Sequence, residues 1–300
     1  MIDDRFFSEI IKKSECEFEE NKNISSLTSS RISTLVRAIA YPNSEEKLIE
    51  LTGKLNHIDA KYIVLGRISN ILVKDGKYDG VVIKTTKIKG NKVAENEVTL
   101  LCGESISGII QKMALCDFGG MEGLFGIPGT VGGMVRQNAG AFGYEISDRF
   151  KCATCYHPYT QSISNYSKDD MQFSYRDSIL RSNSAILLNA TFELIEKKRN
   201  DILAEIAEYK ERRVTTQPLE YPSLGSIFKR YNGISAGYYI DRAGLKGHCI
   251  GGACVSSKHA GFIVNKGGAT AEDYLKLIEY VKDKVYSVFG IELEEEIEVI

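Results

Sequence analysis

Between Phe118 and Tyr144 the chain reads FGGMEGLFGIPGTVGGMVRQNAGAFGY, a denser run of small residues than packing alone requires. Glycine has no Cβ, so it lets backbone N–H groups close on a ligand and occupies φ > 0 conformations that other residues avoid. Consecutive N–H groups pointing into one concavity form an anion nest that suits a diphosphate. Pro128 fixes one φ within the run and removes a donor, which argues for a loop of set shape. Small residues continue beyond it, with Asn138 among Ala139, Gly140 and Ala141. The run lacks the Gly-Lys-Ser/Thr ending of a P-loop, and no GxGxxG opens a βαβ unit. A tight turn between two strands accounts for two or three of these glycines, whereas ligand contact accounts for the whole run.

A chain of 300 residues with 43% hydrophobic content suits a globular protein of two or three subdomains, each able to bury a core. A net charge of −2 provides no basic field for a polyanion, so nucleic acid is not an expected partner. No apolar run reaches the length of a membrane span, and the start MIDDRFFSEIIKK has acids where a secretory leader needs basic residues, so a cytoplasmic location is expected. The 7 cysteines then read as free thiols in a reducing compartment. Cys152 and Cys155 form a single CxxC with no partner pair. His248, Cys249, Cys254 and His259 are ligand types at metal-like spacing. Gly251-Gly252-Ala253 and the alternation at Cys254-Val255 instead suit a strand with small buried thiols, so no metal is expected.

Taken in order, Ile2 to Glu20 has helical spacing, and Asn21 to Ser33 is polar and irregular. A strand follows at Leu35 to Ile39, then a helix from Ser44 to Leu55 with Ser44 as its N-cap. Tyr62 to Leu65 and Ile71 to Val73 read as strands around the turn Gly66-Arg67-Ile68-Ser69-Asn70, which offers N–H groups, a hydroxyl and an amide to an anion. Strands are expected at Gly80 to Ile83, Val93 to Leu101, Phe150 to Tyr156 and Ala185 to Ile195, with helices at Ile106 to Cys116 and Asp201 to Arg213. The last hundred residues suggest strands at Ser226 to Lys229, Ile250 to Val255 and Gly261 to Val264, with two helices, the second from Thr270 or Ala271 to Phe289. The alternation of strands with single helices points to an α+β fold.

Three polar positions have two readings each. Arg176, beside Tyr175, is either a surface ion-pair member or a guanidinium fork for a carboxylate. Ser226 is either a small residue at a strand start or a hydroxyl oriented to give a proton. Glu296 lies in an acidic run that is either a solvated face or part of a site.

The blocks GIPGTVGG with NAGAFG, FSYRDS, QPLEYPS with GSIFKR, AGLKG through SSKHAGFIVNKGGATA, and FGIELEEEI occur in the order found in UDP-N-acetylenolpyruvoylglucosamine reductases. The chain resembles the type II branch of that family from about Thr28 onward. The resemblance implies a two-subdomain FAD-binding fold of the vanillyl-alcohol-oxidase (PCMH) type, with a smaller C-terminal α+β substrate domain. The implied division is a leading segment 1–31, an FAD-binding domain 32–197 and a substrate domain 198–300. It implies tightly held FAD, NADPH as hydride donor, and reduction of UDP-N-acetylglucosamine enolpyruvate to UDP-N-acetylmuramate for peptidoglycan synthesis.

By the same resemblance, FAD is held by Gly66, Arg67, Ser69, Asn70, Gly126, Ile127, Pro128, Gly129, Thr130, Gly132, Gly133, Asn138, Ala139, Gly140 and Ala141. Tyr175, Arg176, Lys229 and Cys254 face the substrate. Arg176 binds its carboxylate, Ser226 protonates the carbanion, and Glu296 shares a proton or hydrogen bond with the aci-carboxylate, the three converging on the reactive flavin face. The chain departs from the family pattern where Arg67 and Ile68 replace glycines, where Ser33-Thr34 replace an upstream glycine pair, and where Cys254 stands for a glutamine. Those departures leave open an alternative, a flavin-deficient paralogue that binds nucleotide sugar without catalysis.

Overall fold

The computed structural model describes residues 14–300. They divide into two compact units, each discontinuous in sequence: residues 14–20, 37–67 and 80–211 form the first, and 21–36, 68–79 and 212–300 the second. The linear expectation of 32–197 and 198–300 can be compared with these units, in which two N-terminal segments group with the C-terminal residues.

Two sheets carry the N-terminal two-thirds of the chain. One is four-stranded, ordered Glu17–Asn23, Leu35–Tyr41, Lys77–Lys84, Tyr62–Leu65, with the last two parallel. The other has five antiparallel strands, ordered Ser162–Ser167, Phe150–His157, Ile186–Glu193, Glu97–Leu101, Asn91–Ala94. Helix Glu45–His57 begins where expected, since the Ser44 side chain accepts the Lys47 N–H at 3.2 Å, and it buries Leu48, Leu51 and Leu55. Helix Ile106–Ala114 buries Ile106, Ile109, Ile110 and Met113 in the same core as Val98, Leu100, Val131 and Phe192.

Two expectations fail here. The helix expected over Ile2 to Glu20 lies largely outside the described residues, and from Glu17 the chain is a strand through Asn23. Alternating acids fit either period, and on a sheet edge they also discourage pairing with other chains. The single strand expected over Val93 to Leu101 is a hairpin, because Glu95 adopts φ 55° and reverses the chain with Asn96.

The second unit holds an antiparallel sheet ordered Ser223–Ser226, Phe262–Asn265, Ala253–Val255, Cys249–Ile250. It shares a core with helix Ala271–Phe289 through Leu224, Val255, Ile263, Tyr274, Leu277, Ile278 and Val281. Thr270 and Asp273 close a capping box at the start of that helix, and Gly290 ends it in the left-handed conformation. The strand expected at Ser226 to Lys229 ends at Ser226 instead, after an irregularity that contains Gly225 at φ 79°. The strand expected at Ile250 to Val255 is a hairpin whose turn is Gly251-Gly252, where a Cβ on Gly252 would lie 2.4 Å from the Ala269 nitrogen. That hairpin sets Cys249 opposite Cys254, and the two form a disulfide. The reading of every cysteine as a free thiol is therefore corrected at this pair, whose cross-strand register sequence spacing did not disclose.

Candidate active site

Backbone hydrogen bonds narrow the anion nest expected along the glycine run. Gly126 donates its N–H to Ser107 Oγ at 2.9 Å, Ile127 to Leu124 O, Val131 to Glu104 O and Gly132 to Cys102 O. Among the described residues, the N–H groups of Gly129 and Thr130 make no hydrogen bond, and these two remain open to an anion. Several glycines serve packing instead: a Cβ on Gly123 would meet the Tyr144 ring at 2.4 Å, and one on Gly140 the Tyr144 carbonyl at 2.5 Å. Packing thus accounts for much of the run, Gly129 included, where a Cβ would lie 2.8 Å from Met134 Cγ, and the open N–H groups at Gly129 and Thr130 are what it leaves for a ligand.

The first turn meets this loop inside the first unit. A Cβ on Gly66 would lie 2.1 Å from Thr130 Oγ1, so only glycine allows the two segments to touch. Lys84, 8% exposed, donates to the Gly66 carbonyl at 3.2 Å. Burial, and then the charge of Arg67, hold the Lys84 ammonium below its ordinary pKa. Arg67 itself is exposed. Ile68 adopts φ 53°, a left-handed conformation costly for a β-branched residue, and its side chain is buried. That turn of the backbone takes the Ile68 side chain into the protein.

Arg176 sits at the tip of a two-residue turn in which Ser174 and Asp177 exchange both backbone hydrogen bonds at 3.1 Å, with Arg176 at φ 57°. Its Nη2 donates to the Gly140 carbonyl at 2.7 Å, its Nη1 approaches Glu145 Oε1 at 3.8 Å, and its guanidinium lies over the Tyr175 ring at 4.9 Å. Asn138 ties this turn to the glycine run. The Asn138 Nδ2 donates to Glu145 Oε2 and to the Ser174 carbonyl, while its Oδ1 accepts the Ser147 N–H. Its side chain is therefore committed to the protein, and Glu145, which the sequence reading did not single out, is the acid beside the arginine.

In the second unit, the segment that follows Ser226 pairs through its backbone with the segment that holds Glu296. Glu296 donates its N–H to the Ile227 carbonyl at 2.7 Å, Phe228 bridges Glu295, and Lys229 donates its N–H to the Glu294 carbonyl at 2.8 Å. The Lys229 ammonium also pairs with the Glu294 carboxylate. Asn70 Nδ2 donates to the Glu296 carbonyl at 3.0 Å. Cys254 is buried with its sulfur joined to that of Cys249, so the free thiol expected to face the substrate does not exist there. Of the other metal-ligand types in this stretch, His248 stacks on Tyr280 at 4.4 Å, and His259 Nδ1 accepts the Gly261 N–H at 3.2 Å.

These residues fit a dinucleotide diphosphate. Two open N–H groups at Gly129 and Thr130 lie on the loop that touches Gly66, and two cations, Arg67 and Lys84, accompany that turn without a carboxylate partner among the described residues.

Two family models match the chain. Residues 36–155 match the family model described as an FAD binding domain, and residues 217–300 match that of the UDP-N-acetylenolpyruvoylglucosamine reductase C-terminal domain. The UDP-N-acetylenolpyruvoylglucosamine reductase of Caldicellulosiruptor saccharolyticus is 43% identical over 98% of this chain and 95% of its own length. That of Lactobacillus acidophilus is 38% identical over 97% of each. The crystal structure of the Thermus caldophilus reductase is similar with a TM-score of 0.79 and 30% identity, covering 95% of this chain and 98% of that one. Physcomitrella patens BBE-like 1, at 12% identity and a TM-score of 0.50 over 63% of this chain and 44% of its own, shares the fold alone. No helix among the described residues is long and apolar enough to cross a membrane.

Proposed function

Because the chain belongs to the UDP-N-acetylenolpyruvoylglucosamine reductase family of FAD-dependent oxidoreductases, we propose that it reduces UDP-N-acetylglucosamine enolpyruvate with NADPH, giving UDP-N-acetylmuramate for peptidoglycan synthesis in the cytoplasm. FAD, when bound, supplies the hydride chemistry. The loop at Gly129 and Thr130, which meets the turn at Gly66, would hold its diphosphate through backbone N–H groups.

The chain's own residues manage charge and protons. An enolpyruvyl double bond accepts hydride only if negative charge spreading into its carboxylate is stabilised, and fixed charge-assisted contacts do this best. Arg176 binds that carboxylate with a guanidinium oriented in advance by the Gly140 carbonyl and the Tyr175 ring. Glu296 shares a hydrogen bond with the same carboxylate as charge develops. Ser226 delivers its hydroxyl proton to the carbon α to the carboxylate; the carbanion is a strong base, so placement matters more than acidity. The observation that supports this reading best is the 2.7 Å hydrogen bond from the Glu296 N–H to the Ile227 carbonyl, which fixes the acid one residue from the proton donor's strand.

Rapid-mixing kinetics of Ser226→Ala test the assignment. Flavin reduction by NADPH stays near the wild-type rate, while reoxidation by the enolpyruvyl substrate slows by at least about 100-fold. Equal loss in both half-reactions contradicts the proton-donor role.

A further inference from the structure

Among the described residues, Lys84 is a buried cation without a carboxylate partner. The residue is 8% exposed at the end of strand Lys77–Lys84, its ammonium donates to the Gly66 carbonyl at 3.2 Å, and no carboxylate pairs with it among the described residues. Burial, and then the like charge of Arg67, disfavours its charged form. A lysine in such a place weakens the fold: it gives up hydration, gains one neutral carbonyl and faces another cation. An apolar side chain of similar length would be cheaper.

The arrangement becomes favourable once an anion arrives. Gly66 touches Thr130, whose N–H, like that of Gly129, makes no hydrogen bond among the described residues. The two cations therefore accompany the turn that meets this pair of open donors. Arg67 and Ile68 stand where the resemblance implies glycines, so this turn offers less close backbone approach than a glycine turn. We propose that Lys84, with Arg67, is part of the diphosphate-binding site of this chain, supplying by charge what the turn lost with its glycines. The anion is the diphosphate of a dinucleotide, and the inference rests on the proposed use of FAD.

The opposed effects on folding and binding make this testable. In full-length apoprotein stripped of flavin, Lys84→Met is expected to raise the FAD dissociation constant about 10- to 100-fold, the range of one charge-assisted contact. The same variant should leave urea stability of the apoprotein unchanged or higher, because the uncompensated charge is gone. Lys84→Arg, which keeps the charge, should stay within several-fold of wild-type affinity. The wild-type affinity should fall with added salt more steeply than that of Lys84→Met. FAD affinity unchanged in Lys84→Met overturns the proposal and leaves Lys84 as a prop for the Gly66 carbonyl. So does a Lys84→Met chain that fails to fold, since the charge would then support the fold rather than burden it. Wild-type apoprotein that takes up no FAD is a different failure, because it contradicts the cofactor assignment itself and the proposal with it.

Discussion

Asn70 Nδ2 donates to the Glu296 carbonyl at 3.0 Å, joining residues 226 positions apart in sequence. Glu296 is thereby held on both sides of its Cα, since its own N–H reaches the Ile227 carbonyl at 2.7 Å. A parallel pairing of Glu298–Val299 with Ile71–Leu72 continues the contact. The resemblance assigned Asn70 to the cofactor, whereas its amide donor is engaged with the backbone of the acid.

Asn70→Ala should therefore slow substrate-driven flavin reoxidation by about tenfold through misplacement of Glu296, with NADPH-driven reduction little changed. In a Glu296→Gln background the same substitution should add almost nothing, because residues acting through one another are not additive. Stopped-flow measurement of both half-reactions in the two single variants and the double variant checks this; additive losses would place the effect of Asn70 elsewhere.

Gly66→Ala should destabilise the protein by about 1–3 kcal/mol, the usual cost of forcing a methyl group into a filled space. The added Cβ would fall 2.1 Å from Thr130 Oγ1 and 3.1 Å from Thr130 Cβ and Cγ2. Thr130→Ala removes Oγ1 and Cγ2, so Gly66→Ala should cost less than about 1 kcal/mol in that background. Urea denaturation of the four proteins tests whether this contact alone demands glycine.

His259 links stability to pH. Burial holds its imidazole below the ordinary value of 6.5, and Nδ1 accepts the Gly261 N–H, as the neutral ring can. A histidine with a depressed folded pKa favours the folded state fully above the unfolded value. That contribution is lost as pH falls from about 6.5 toward the folded value, where the unfolded chain binds the proton first. Unfolding free energy should decline between pH 7 and pH 5, and His259→Gln should reduce that slope; an unchanged slope would show that other groups set it.

Much of this was legible before folding was known, and the reasons are local. Ser44 before its helix is a capping signal that acts within one turn. The apolar stripe from Tyr274 to Val285 needs only helical periodicity. What sequence did not disclose depends on distant partners. The hairpin at Glu95-Asn96 turns without glycine, and the disulfide follows from a cross-strand register set by Gly251-Gly252. Asn138 shows the same limit at the site. Its place among small residues suggested a ligand contact, yet Glu145, Ser147 and Ser174 take up its side chain once the chain has folded. Motif order identified Arg176, Ser226 and Glu296 as residues of interest, but only tertiary structure revealed Glu145 and Lys84 beside the elements that matter.

The most direct measurement is an anaerobic absorption titration of the purified, FAD-loaded protein. The visible band of oxidised flavin should bleach on adding one equivalent of NADPH and return on adding UDP-N-acetylglucosamine enolpyruvate, with UDP-N-acetylmuramate formed in equal amount. A protein that takes up no FAD, or whose reduced flavin is not reoxidised by that substrate, would contradict the account.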